Sequence, residues 1–211
     1  MAPVWSRQVS GALVVGLLAG CGGAPEQGIA RGKDLFDTCV PCHGVDGGGK
    51  ADLRAPVIAG LPTWYVEAQL KTFQAGHRGY AAFDTVGIRM KSMSWSLDLD
   101  GDIGSVAVYV ASLTKPTGTT PTVTGDPAAG QAAFTLCASC HGVDAKGIEV
   151  LHGPPLAGQA DWYLLAQLRK FRAGQRGTHP GDVWGAAMRP NALALDDAGM
   201  ANVISYIQTL K

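Results

Sequence analysis

Apolar and polar positions along the chain repeat at helical intervals, and the same set of intervals occurs twice. Between Trp64 and Phe73 one stripe is Tyr65, Gln69, Leu70 and Phe73 and a second is Trp64, Ala68 and Lys71. No proline interrupts them, and the run stops at Ala75-Gly76, a common glycine ending, so a helix is predicted there. Val106, Tyr109, Val110 and Leu113 predict a last helix over 102–113, and Val203, Tyr206, Ile207 and Leu210 predict its equivalent over 197–210. A first helix is predicted near 28–39, running into a CxxCH sequence. The glycine-rich stretches between have no period of two, so they read as loops and the fold class as all-α.

The second set of elements is a copy of the first, displaced by 98 residues without a gap from Gly32 and Gly130 through Met90 and Met188. CVPCHGVDGGG answers CASCHGVDAKG, Trp64-Tyr65 answers Trp162-Tyr163, and Leu97-Asp98 answers Leu195-Asp196. Two copies of one small domain, 28–113 and 128–211, are the economical reading. Between them lies TKPTGTTPTVTGDP, residues 114–127, whose threonine, proline and glycine make a semi-extended linker. Domains of this size bury thin cores, and a large apolar cofactor would supply missing contacts.

Residues 1–20 stand outside the repeat. Arg7 is followed by the apolar run GALVVGLLAG, too short to span a bilayer as a helix and typical of an export signal. The run ends Leu18-Ala19-Gly20-Cys21, which resembles a bacterial lipobox and implies cleavage before Cys21 and lipidation of that cysteine. The alternative is ordinary cleavage near Ala19 or Ala24 with a soluble product. Residues 21–27 then form a tether. Both alternatives place the mature chain on the periplasmic side, with the membrane as a partner through the lipid in the first. The chain carries 17 basic and 17 acidic side chains, so its balance gives no case for nucleic acid.

The five cysteines are Cys21 and two close pairs. Cys39-Val40-Pro41-Cys42-His43 and Cys137-Ala138-Ser139-Cys140-His141 each match the c-type haem attachment pattern. Two thiols three residues apart at a helix end reach the two vinyl groups on one porphyrin edge, and the next histidine is aimed at the iron. A thiol-redox or disulfide role would not require a histidine after both pairs. The sixth iron position decides between electron transfer and small-molecule chemistry. A ligand for both halves must recur, and no other histidine does: His77 faces Gln175, His152 faces Arg54 and His179 faces Ala81. Met90 and Met188 do recur, in what reads as a loop, whereas Met93 is matched by Asn191 and stands in reserve. Core filling is the competing role for a methionine. Pro56 and Pro154 follow their histidines at equal distance, and their carbonyls could accept from the imidazole N–H or merely shape the loop. Trp64, Tyr65, Gln69 and Arg78, with Trp162, Tyr163, Gln167 and Arg176, could contact haem propionates, packing being the alternative for the aromatics and an interdomain contact the alternative for the arginines. His77, His152 and His179 read as surface or loop histidines.

The tandem CxxCHG, P-x-[IL]-A-G, WYxxxQLxxFxxGxRG and M-x(6)-LD pattern over nearly all of residues 28–211 resembles the dihaem cytochrome c4 family. The stretch GQRGTHPGDVWGAAMRP is also similar to cytochrome c domains fused to or serving haem-copper oxidases. The resemblance implies two tandem class I cytochrome c domains, each holding one covalent haem c with His/Met ligation, facing each other near the propionates. It implies electron delivery between a quinol-oxidising or dehydrogenase complex and a terminal oxidase. The lipobox departs from typical members and favours a tethered carrier or complex subunit. GYAAFDTVGIRMKSMSW also departs from its partner segment, so the two haems are expected to differ. An enzyme, such as a dihaem peroxidase or sulfur-compound oxidoreductase, would need an open iron position, which the matched methionines disfavour.

Overall fold

A computed structural model of the chain describes Met1 and residues 27–98, 101–117 and 120–210. The export signal and Cys21 lie outside the described residues, apart from Met1. The first half forms helices α1 (Ile29–Phe36), α2 (Val40–His43), α3 (Thr63–Gln74), α4 (Thr85–Ser94) and α5 (Asp102–Ser112). The second forms α6 (Pro127–His141), a 3-10 turn at Glu149–Leu151, α7 (Asp161–Arg172), α8 (Val183–Leu193) and α9 (Asp197–Ile207). The fold is all-α, with two copies of one domain in tandem; among the described residues, extended pairing is limited to two isolated bridges.

In each domain the first helix crosses the last, α1 on α5 and α6 on α9, and the middle helix packs beside the last. The crossing needs a glycine. A Cβ on Gly32 would overlap the Ser105 carbonyl oxygen, and one on Gly130 would overlap that of Asn202. The backbones can touch only where the side chain is absent, which is why these glycines sit inside helices despite their propensity cost of about 1 kcal/mol. Phe36, Ile103, Val106 and Val110 form the first core, and Phe134, Val203, Ile204 and Ile207 the second.

Two details differ from the sequence expectation. The first helix does not run unbroken into Cys39: α1 stops at Phe36 and α2 begins afresh at Val40. The cause is Pro41. It has no N–H and would clash inside a continuous helix, but it is tolerated in the first turn of a new one. Its counterpart is Ser139, and α6 accordingly continues through Cys137 to His141. The methionine segments, expected as loops, are helices α4 and α8. Asp84 and Asp182 cap them, accepting from the amides of Gly87 at 2.9 Å and Gly185 at 3.0 Å. Each glycine leaves room for the capping carboxylate, which a Cβ would meet.

The domains are joined by more than the linker. The Gln159 side chain bonds both polar groups of Val57, accepting from its amide at 3.2 Å and donating to its carbonyl at 2.8 Å. Lys115 Nζ donates to Ala157 O at 2.5 Å. Asp161, wholly buried, accepts from the linker amides of Thr122 and Val123 and from the Thr122 hydroxyl. Tyr80 and Thr178, which occupy equivalent positions in the two copies, share a hydrogen bond through their hydroxyls.

Candidate haem-binding site

After each CxxCH the chain makes a tight return. Lys50 pairs with Ala55, and Ile148 with Gly153. Arg54 and His152, at matched positions, take left-handed conformations (φ 54° and 50°) to close the two loops. The return brings each proline carbonyl under its histidine: His43 Nδ1 lies 2.9 Å from Pro56 O, and His141 Nδ1 lies 2.7 Å from Pro154 O. A carbonyl oxygen can only accept, so the hydrogen sits on Nδ1 and leaves the Nε2 lone pair available to a metal. Burial lowers the pKa of both imidazoles, partly opposed by these hydrogen bonds, which favours the neutral, metal-binding form.

Burial works against thiolate formation at the first cysteine of each pair. Burial raises the Cys39 pKa, with a lowering hydrogen bond from Thr38 and a raising contribution from Cys42. Burial likewise raises Cys137. A dithiol redox centre stabilises a thiolate instead.

The histidines, the CxxC cysteines, Met90 and Met188 all line one continuous cavity of about 1170 Å³ that passes through both domains. Leu70, Phe73, Leu97, Leu164, Leu168 and Phe171 are among its walls. Met93 lines the same cavity but is 43% exposed, whereas Met90 packs on the first core.

At the centre of the cavity two guanidinium groups are buried close together. Arg78 stacks over Phe73 and Arg176 over Phe171, each 4.3 Å from the ring centroid. Arg78 donates to the Gln69 side chain, and both arginines reach Gln167 Oε1, Arg176 at 2.7 Å and Arg78 at 3.5 Å. Burial, with the repulsion of Arg78, lowers the Arg176 pKa to about 10, opposed by Tyr163, Tyr65 and Asp182; the group remains a cation at neutral pH. Neither arginine belongs to an ion pair among the described residues, and Arg176 Nε is buried with no hydrogen-bond partner. Buried cations require an anion. Tyr65, whose pKa is raised by burial and by Tyr163 against the lowering effect of both arginines, faces the same place. An apolar cavity with metal-ready imidazoles and buried guanidinium groups outside any ion pair among the described residues fits porphyrins that carry acidic substituents.

Residues 29–114 and 127–211 each match the family model "Cytochrome c". The chain belongs to the cytochrome c family. It is 32% identical over 195 residues to cytochrome c4 of Azotobacter vinelandii, covering 86% of this chain and 88% of that one. It is 29% identical over 178 residues to the "thiosulfate dehydrogenase electron acceptor" of Stutzerimonas stutzeri, covering 80% and 76%. Reduced recombinant cytochrome c4 from Pseudomonas stutzeri superposes with a TM-score of 0.69 at 29% identity, over 88% of this chain and 100% of that one. Thiosulfate dehydrogenase (TsdBA) from Marichromatium purpuratum gives a TM-score of 0.70 at 30% identity, but this chain spans only 40% of that longer one. The protein is thus a dihaem, cytochrome c4-like electron-transfer protein with two covalently bound haem c groups.

Several site residues were not apparent from the sequence. His77 and His179 stack across the domain boundary at 4.7 Å, and His152 stacks on Trp184 at 3.9 Å and lies perpendicular to Trp64 at 6.1 Å, so these histidines are packing elements as well as loop residues. Asp84 and Asp182 recur at the repeat distance ahead of the methionines, a signal that could have revealed the two capped helices. Gln159 has no such signal, because its counterpart is Leu61.

Proposed function

We propose that the chain relays single electrons between redox proteins in a respiratory chain, without substrate chemistry of its own. Cys39 and Cys42 attach one haem and Cys137 and Cys140 the other. His43 and Met90 complete the first iron, His141 and Met188 the second. Bound haem supplies a one-electron ferric/ferrous couple. Pro56 and Pro154 orient the imidazoles; Arg78 and Arg176, with Gln69, Gln167, Trp64, Tyr65, Trp162 and Tyr163, hold the propionate side. The observation that carries this reading is the single cavity containing both His and Met sets, lined also by Arg78 and Arg176, which are buried outside any ion pair among the described residues, with Arg176 Nε left without a hydrogen-bond partner. The route is that of an exported protein on the periplasmic side, tethered through lipidated Cys21.

The donor is a quinol-oxidising or dehydrogenase complex and the acceptor a terminal oxidase. A second reading, an electron-accepting subunit serving a sulfur-compound dehydrogenase, is favoured by the likeness to thiosulfate dehydrogenase partners. Pyridine haemochrome quantitation and carbon monoxide titration test the closed carrier. Two haems per chain, a far-red Fe–S(Met) band and no carbon monoxide adduct are expected. Met188→Ala should abolish that band for one haem only. A high-spin fraction that binds carbon monoxide in the wild type would favour an enzyme.

A further inference from the structure

The two methionine helices are capped alike but held differently. Asp182, at the head of α8, is closed entirely from its own domain: Oδ1 accepts from Gly185 N at 3.0 Å and Oδ2 from Gly177 N at 3.2 Å. Asp84, at the head of α4, accepts from Gly87 N at 2.9 Å and from Lys170 Nζ at 2.5 Å. Lys170 belongs to α7 of the other domain. Among the described residues this pair is the best shielded of the ion pairs, with 17% of the lysine side chain and 4% of the aspartate exposed. No mirror image of it is possible, because the position equivalent to Lys170 is Thr72, whose hydroxyl donates to Gln69 O at 2.8 Å.

We propose that Lys170 is a positioning residue for the first haem. Reaching across from the second domain, it holds the head of the helix that carries Met90, so a cross-domain ion pair supports methionine ligation at one iron and has no counterpart at the other, where the cross-domain contact is the packing of His77 on His179 and Gly181 rather than an ion pair. The inference rests on Met90 as the iron ligand. Removing the ammonium leaves the buried Asp84 carboxylate with an amide and the helix dipole alone, an arrangement that favours rehydration or fraying of the first turn. Met90 lies six residues further along the same helix. The second methionine helix, closed by Gly177, does not feel the change.

The test uses the ferric holoprotein and imidazole, which competes with methionine for the iron. The two hyperfine-shifted ligand-methyl resonances, assigned with M90A and M188A, report each haem separately. In Lys170→Met the imidazole concentration that displaces Met90 should fall on the order of tenfold, within the range usual for coupled sites. The Met188 signal should keep its wild-type midpoint, and Lys170→Arg should return the Met90 signal toward wild type. Unchanged midpoints at both haems, or equal shifts at both, would overturn the proposal. If Lys170→Met does not fold, D84N and D84N/K170M are compared instead; with no carboxylate to hold, loss of the lysine must leave the Met90 midpoint unmoved, and a further fall sinks the idea. If M90A leaves both methyl resonances in place, the ligand assignment itself fails and the proposal falls with it.

Discussion

Asp161 gives the most direct quantitative test of how the linker is fixed. Its side chain is wholly buried at the head of α7 and accepts four hydrogen bonds: from Thr122 N, from Val123 N at 2.6 Å, from Thr122 Oγ1 at 3.0 Å and from Trp162 N at 2.7 Å. Hydrogen bonds to a charged acceptor are worth about 1.5–3 kcal/mol each. Thr122 lies at the surface, where water can replace part of its loss, so Asp161→Ala should destabilise the second domain by about 3–5 kcal/mol. Asp161→Asn keeps the shape but points an NH2 group at backbone donors and should cost about 2–3 kcal/mol. Urea unfolding of the holoprotein, followed by haem-quenched tryptophan fluorescence, measures both. The pH dependence supplies an independent check. Burial alone would raise the carboxyl pKa, but the amides of Val123, Thr122 and Trp162 and the Thr122 hydroxyl outweigh it and hold the group below the usual carboxylate range. A depressed folded pKa contributes stability that is fully present above the unfolded value and is lost as pH falls through the folded one. The advantage of wild type over the non-titrating Asp161→Asn should therefore be constant near neutrality and shrink only below about pH 3.9. A loss under about 1 kcal/mol in Asp161→Ala, or a gap that closes near neutral pH, would refute the reasoning.

Two further outcomes are expected. Arg176→Leu removes a buried cation from the central cavity, which eases the positive charge on a nearby ferric iron. The potential of the second haem should drop on the order of tens of millivolts, as read by spectroelectrochemistry, with a smaller effect on the first. Cys21→Ser should move the holoprotein from the membrane fraction to the soluble periplasmic fraction with both haems retained; unchanged membrane association would exclude the lipid anchor.

The parts of this fold legible in the sequence are those whose cause is local or duplicated. The helices α3, α5, α7 and α9 show their apolar stripes directly, and the attachment motifs need only neighbouring residues. The matched methionines emerge because the chain contains its own comparison. Helices α4 and α8 were hidden because Gly87, Gly185 and Pro190 weaken helical propensity, and what offsets them is a capping carboxylate three residues before each glycine. The break before Cys39 was visible in principle at Pro41, but the consequence depends on whether the helix restarts. The interface residues Gln159, Lys170 and Asp161 were not legible. Each does its work through a partner distant in sequence, and the copy holds a different residue, Leu61, Thr72 or Thr63.

The meeting of Tyr80 with Thr178 places one position of the repeat against itself, as happens on the axis of a twofold homodimer. A single-domain progenitor using this face would associate isologously, and only as far as its concentration allowed. Joining the copies through a short linker replaces that concentration with a local one fixed by chain length, typically in the millimolar range. It also releases the two sides from identity. In a homodimer a lysine at position 170 would occur twice, and each capping aspartate would receive one; in the fused chain one copy can keep Thr72 and the other Lys170. Fusion is therefore what permits two haems in nearly equivalent pockets to be tuned apart by substitution on one side alone.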